Sequence, residues 1–323
     1  MSGNATTWTY DVGDGVLKNR ALSTKLLMEA AKKFHFVQFT QKVEGFGKKQ
    51  GQTVTLSSIQ DLAVPTNNGL LNESTRIPVD KLVLGTNSIT LVEWGRAVEF
   101  TNLMEDLIFF DMQKTAQKAL VKQMKNCMDN AAAAAFKTAK VIYIPTSLTG
   151  GTWDTDGTPS TTALSNLNTT HLGVVRDYMA NNLHVPPYDG QNWIGCLSTK
   201  AMRGIRDDRL RNIEAFMLYL RKGDSVFAGE QGRIEGIRLV EVMQSGALTD
   251  GVGSGSVLGE ALFFGDESVA RAEALYPELR VEGNFKGDFA RRKAVAWYGI
   301  VAYGPYWTTA NDGEAKIVRV ASA

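Results

Sequence analysis

Cysteine is nearly absent from this chain: its 323 residues contain two, Cys127 and Cys196. Two thiols cannot provide the disulfide framework that small secreted proteins use. Each also has apolar company, with Met124 and Met128 near the first and Trp193, Ile194 and Leu197 around the second. Both read as buried free thiols in a reducing compartment. Histidine is also scarce. His35, His171 and His184 lie outside helical or loop spacing of each other, of a cysteine pair or of a carboxylate cluster, so no metal ligand is expected. An excess of one charge is missing too: 35 Lys and Arg face 34 Asp and Glu, for a net charge of +1. That balance argues against nucleic-acid binding as the main task, while allowing one face to tolerate nucleic acid. No run reaches the roughly 18 apolar residues of a membrane helix. Met1 to Tyr10 is polar and lacks a secretory pattern. The sequons at Asn4, Asn72 and Asn168 therefore lack a secretory context, and a soluble chain made in the cytoplasm, without a membrane partner, is expected.

The usual signatures of catalysis are missing as well. There is no Gly-x-Ser-x-Gly elbow. The segment from Gly45 to Thr53 has the wrong spacing for a phosphate loop, and Gly251 to Gly255 falls short of a dinucleotide fingerprint. Asp207 and Asp208 sit between Arg206 and Arg209, which reads as a solvated, salt-bridged helix end. Arg291, Arg292 and Lys293 read as a solvated strand start or an intersubunit ion pair. Trp297, Tyr298, Tyr303, Tyr306 and Trp307, at strand spacing, read as core and interface filler. No catalytic residue and no cofactor is expected, and a structural role is favoured over an enzyme.

What is present is enough apolar material for a real core: 44% of residues are hydrophobic, which at this length suggests two or three domains. Residues 1–20 read as an extended arm with no core of its own. Leu22 to Phe39 reads as an amphipathic helix capped by Ser23, with Leu26, Leu27, Ala30, Phe34 and Val37 on one face. Residues 44–51 are a turn-rich break. Thr53 to Ile59 alternates as a strand, 65–69 give a turn and a polar tip, and a second strand set runs from Ile77 through Val83 to Ile89–Val92. The span 44–92 is thus a long two-stranded excursion, and an isolated hairpin of that length is marginal in water without a partner surface. Asn102 to Lys140 reads as one helix of about 30 residues, with Leu120, Met124, Cys127, Met128, Ala131 and Ala135 in a stripe. After a polar loop at 145–162, helices are expected over Thr169–Leu183 and from Ser198 to Arg206. Strands are expected at 192–197, 237–243, 261–264 and 294–303. This order implies an α+β body.

The order of four stretches resembles the tailed-bacteriophage major capsid proteins with the Hong Kong ninety-seven fold, and within them the branch typified by the N-four podovirus coat protein. The stretches are Leu22 to Ala31; Gly51 to Leu56 with Ile89 to Gly95; the long helix around 106–139; and Gly232 to Glu241 followed by Gly259 to Gly265 and Val295 to Gly304. The resemblance covers nearly the whole chain. It implies an N-terminal arm and helix (1–43), an extended loop lying over a neighbouring subunit (44–92), a peripheral domain with a spine helix (93–165), an axial domain (166–280) and C-terminal strands returning to the body (281–323).

The implied partners are further copies of the chain in hexamers and pentamers, a portal, a separate scaffolding or decoration protein, and packaged double-stranded DNA touched non-specifically. The chain starts close to the arm helix, so no long fused scaffolding segment is expected. With no evident lysine–asparagine pair, neither is covalent cross-linking. Candidate intersubunit contacts are Lys48, Lys49, Thr53, Asn67, Asn68, Glu73 and Arg76 on the excursion, and Arg206, Asp207, Asp208 and Arg209 at the helix end. Gly45, Gly47, Gly51 and Gly85 are candidate hinges. An encapsulin-like nanocompartment shell, or a cytoplasmic enzyme without a recognisable motif, are the alternatives.

Overall fold

The computed structural model describes residues 35–43, 51–59, 62, 64–65, 68–74, 76–108, 111–211, 227, 230–243, 247–248, 259–282, 291–307 and 316–323. The arm at 1–20, the helix of Leu22–Phe39 up to Phe34, Gly45, Gly47, Lys48, Lys49 and Asn67 lie outside the described residues, as does the side chain of Arg209.

The excursion pairs as its alternation predicts. β1 (Gln41–Lys42) precedes it, and β2 (Thr53–Ile59) runs antiparallel to β3 (Leu84–Thr90), with Thr53 opposite Thr90 and Ile59 opposite Leu84. The second strand begins later than expected, because Ile77 to Val83 carries no regular structure. Strand character instead continues past Leu91 into β4 (Val92–Thr101).

The single long helix expected over 102–140 is two. Thr101 caps α1 (Asn102–Leu107) by accepting from the Met104 N–H at 3.3 Å, and Ile108 leaves the helix with an extended backbone. Asp111 then caps α2 (Met112–Lys137), accepting from Lys114 N–H at 3.0 Å. Two residues that prefer the cap position thus divide one apolar pattern.

The remaining elements are β5 (Val141–Pro145), β6 (Gly151–Asp154), α3 (Thr169–Asn181), β7 (Trp193–Ser198), α4 (Thr199–Arg211), β8 (Glu230–Ile234), β9 (Ile237–Val242), β10 (Gly259–Phe264), β11 (Val269–Glu282), β12 (Arg292–Pro305) and β13 (Ile317–Ser322). They form a four-stranded sheet, β1-β11-β12-β4, and a seven-stranded sheet, β6-β5-β13-β10-β7-β9-β8. The sheets do not follow the linear division at 165 and 280. β5 and β6 belong to the larger sheet, β11 to the smaller, and β13 inserts between β10 and β5.

The larger sheet is covered on both faces, which explains why β5 and β10 are buried at every position. Tyr143, Leu197, Leu239, Phe263 and Val320 face Leu172, Val175 and Met179 of α3 and Met202 and Ile205 of α4. Alternate residues of the same strands, among them Ile194, Cys196, Leu262 and Phe264, face Phe36, Phe39 and the Ala132–Phe136 end of α2. The smaller sheet lays Phe100, Val295 and Trp297 on Ala116, Leu120 and Met128 of α2. The long helix therefore serves both sheets.

Candidate assembly surface

The hairpin is anchored at its base only. Val54, Ile89 and Leu91 are buried against Ala270, Ala272 and Ala302 of the four-stranded sheet. Leu91 N–H donates to Gln52 C=O at 2.8 Å, and the Asn87 amide donates to Pro305 C=O. Gly51, where the chain enters β2, has φ +98, a conformation that favours glycine. Gly85 lies within β3 opposite Ser58, and a Cβ there would fall 2.6 Å from the serine hydroxyl, which would have to turn aside.

Beyond that base the apolar residues face outward. Among the described residues, ten of the nineteen exposed large hydrophobic side chains lie between Ile59 and Leu84. Val64 (79%), Leu70 (81%) and Val79 (80%) are the most open. A polar tip would be expected of a hairpin that ends in solvent; an apolar one marks a surface awaiting cover. Two turns lie within this region. Asn68 N–H donates to Pro65 C=O at 2.9 Å with Asn68 and Gly69 both at positive φ, and Ser74 hydrogen-bonds the Asn72 side chain. Thr53, Asn68, Glu73 and Arg76 are all exposed on this excursion; Thr53 lies at its anchored base, opposite Thr90, and the other three lie beyond Ile59.

The helix-end cluster is different. Asp208 reaches another element: its carboxylate accepts from the Thr169 N–H at 3.0 Å and from the Thr169 hydroxyl, tying α4 to the first turn of α3. Arg206 reaches instead to buried Glu241 of β9 at 2.7 Å. Asp207 is exposed. Arg292 and Lys293 likewise pair within the chain, with Glu99 at 3.1 Å and Glu105 at 2.6 Å. Trp297 is core, as expected.

Several buried polar groups carried no recognisable sequence signal. Glu260, fully buried on β10, lies between Arg319 (2.7 Å) and Lys137 (3.3 Å), joining α2 to the seven-stranded sheet. His171 Nδ1 lies 3.0 Å from the Tyr143 hydroxyl. Burial pushes the imidazole below its ordinary value, opposed by the Ser147 backbone and the Asp208 charge. Cys196 is buried and free, with its thiol pushed well up by burial, whereas Cys127 is only half-buried. Among the described residues no group of three His, Cys, Asp or Glu side chains is placed to hold a metal ion, and no helix is long and apolar enough to cross a membrane. Two clefts among the described residues, about 530 and 310 Å³, are open to solvent.

No protein-family model matches the sequence, and no curated protein matches it. Solved structures do. The capsid asymmetric unit of cyanophage Pam1 superposes with a TM-score of 0.68 at 15% identity, covering 94% of this chain and 96% of that one. The capsid of Ralstonia phage GP4 gives 0.65 at 17% identity over 94% and 95%. The acid-stable capsid of Helicobacter pylori bacteriophage KHP30 gives 0.69 at 12% identity over 93% and 94%. At such identities the likeness speaks for the fold: this chain has the α+β, Hong Kong ninety-seven-type fold of tailed-phage capsid proteins.

Proposed function

We propose that this chain is the major capsid protein of a tailed bacteriophage, and that it assembles through hexamers and pentamers into the icosahedral head that encloses double-stranded DNA. The observation that carries the reading is the hairpin: a chain with a phage-capsid fold holds an apolar tip in solvent on a two-stranded stalk. Cover from a neighbouring copy would bury that surface, and contacts of this head-to-tail kind close into rings. In this reading the four-stranded sheet and α2 form the peripheral domain, the seven-stranded sheet with α3 and α4 forms the axial domain, and residues 51–91 form the extended loop. Thr53, Asn68, Glu73 and Arg76, with Lys48, Lys49 and Asn67, rim the contact. Gly51, with Gly45 and Gly47, turns the loop during head expansion, and Gly85 keeps its stalk closely paired.

The chain acts as a wall and not as an enzyme. A portal, a separate scaffolding or decoration protein, and DNA held by non-specific contact are its further partners. Its place is the virion shell after assembly in the host cytoplasm, without covalent cross-links between subunits. Negative-stain microscopy of the purified protein tests the reading. Shells, tubes or capsomers are expected; their absence across salt, pH and concentration would overturn it. A ladder of multimers on denaturing electrophoresis of particles would refute the absence of cross-links.

A further inference from the structure

Asp129 occupies an unusual position. It lies on the inward face of α2, fully buried, among alanines and phenylalanines. Its Oδ1 accepts three consecutive backbone N–H groups from a segment over 90 residues away: His35 at 3.1 Å, Phe36 at 2.8 Å and Val37 at 3.2 Å. These donors open the 3-10 turn Val37–Phe39, whose own N-cap, Phe36, supplies no capping side chain. The cap is therefore delivered in trans by the long helix. Its other oxygen, Oδ2, has no hydrogen-bond partner among the described residues. His35, Cys196 of β7 in the larger sheet and Tyr303 of β12 in the smaller lie within electrostatic reach of the carboxyl. Burial pushes the carboxyl up, against the pull of the three N–H donors. One side chain thus ties the turn at 35–39 to the long helix.

We propose that Asp129 is a latch: it holds the turn at residues 35–39 against the long helix, and its release frees that turn during assembly. Two features make it releasable. All three bonds converge on a single atom, so they are lost together. A buried carboxylate is also costly to hold charged, and that cost opposes the three bonds. Phe36 and Phe39, packed beside Phe136 and Phe264 at ring distances of 5.6 and 5.4 Å, supply the apolar seat into which the turn returns.

The assembly role rests on the shell reading, but the latch itself can be read without any shell. Hydrogen exchange by mass spectrometry on the unassembled chain should show the peptide around 35–39 exchanging at least about tenfold faster in Asp129→Ala than in wild type, with α3 and β10 unchanged. Asp129→Asn keeps the shape and one acceptor oxygen, so an increase of a few-fold is expected; it decides the matter if Asp129→Ala fails to fold. Unchanged exchange at 35–39 in the folded variant overturns the latch. Faster exchange together with shells of wild-type rate and geometry overturns its role in assembly. If wild type itself forms no shell, the proposed function fails while the exchange result still decides the latch.

Discussion

Replacing Leu70, Val79 and Leu82 together by serine separates folding from assembly. All three side chains are exposed in the isolated chain, at 81%, 80% and 64%. Exposed substitutions away from special backbone positions shift stability by no more than about 0.5 kcal/mol each, so the unassembled subunit should melt close to wild type. Under a neighbouring copy the outcome is different. Full burial of a Leu or Val contributes about 1.5–3 kcal/mol, and three such residues about half-covered at a loop contact contribute roughly 2–4 kcal/mol. With every 1.4 kcal/mol worth a factor of ten, the threshold concentration for assembly should rise by about 30- to 1,000-fold. Light scattering against protein concentration, with sedimentation velocity to count capsomers, measures that threshold, and thermal unfolding of the unassembled chain supplies the control. Assembly at the wild-type threshold refutes the reasoning. So does a loss of several kcal/mol in the isolated subunit, because it would mean that the tip is already packed within one chain.

Three further outcomes are expected. Gly195→Ala, on a central strand of the larger sheet, would place a Cβ 2.7 Å from the Phe263 ring and 3.2 Å from Ile237; this overpacking should cost about 1–3 kcal/mol, read from the denaturant midpoint. Glu260→Leu would leave Lys137 and Arg319 without their shared buried carboxylate and should cost about 3–5 kcal/mol by the same measurement. His171 is held neutral by burial, so the unfolded chain binds its proton more readily than the folded one. Its contribution to stability is therefore complete above its ordinary, unfolded value and falls as pH drops below that. Melting temperatures from pH 8 to 5 should decline more steeply for wild type than for His171→Gln, and parallel slopes would refute the claim.

The hairpin shows how far pattern alone reaches. Alternation over Thr53–Ile59 specifies the first strand and that a second returns beside it, but not that the second begins at Leu84 and leaves Ile77 to Val83 irregular. α3 and α4 were equally plain, because Asn168 and Ser198 stand at their N-caps ahead of helical apolar spacing. β11 was missed: its Ala, Arg and Glu residues, Pro277 and two register shifts hide the strand period, and only pairing with β12 makes it a strand. β13 was missed because a short run near a terminus gives no sign that it will fill a gap between two strands distant in sequence. The division of the long helix was readable in principle from Thr101 and Asp111, both good caps, but the unbroken apolar pattern concealed it. Arg206 and Asp208 show the opposite failure. Proximity in sequence suggested that they neutralise each other, whereas each finds a partner on another element.

By itself, then, the sequence determined the local events: which segments alternate, which spiral, where caps and turns fall, and that a long two-stranded excursion needs a partner surface. These depend on periods of two and 3.6 residues and on side chains acting on their own backbone. Only the tertiary structure decided which strands share a sheet, that α2 supports both sheets, and that Asp129 and Glu260 are buried connectors. Those outcomes depend on contacts between residues far apart along the chain, where the free energy comes from excluding water and pairing charge in a space that no single segment encloses.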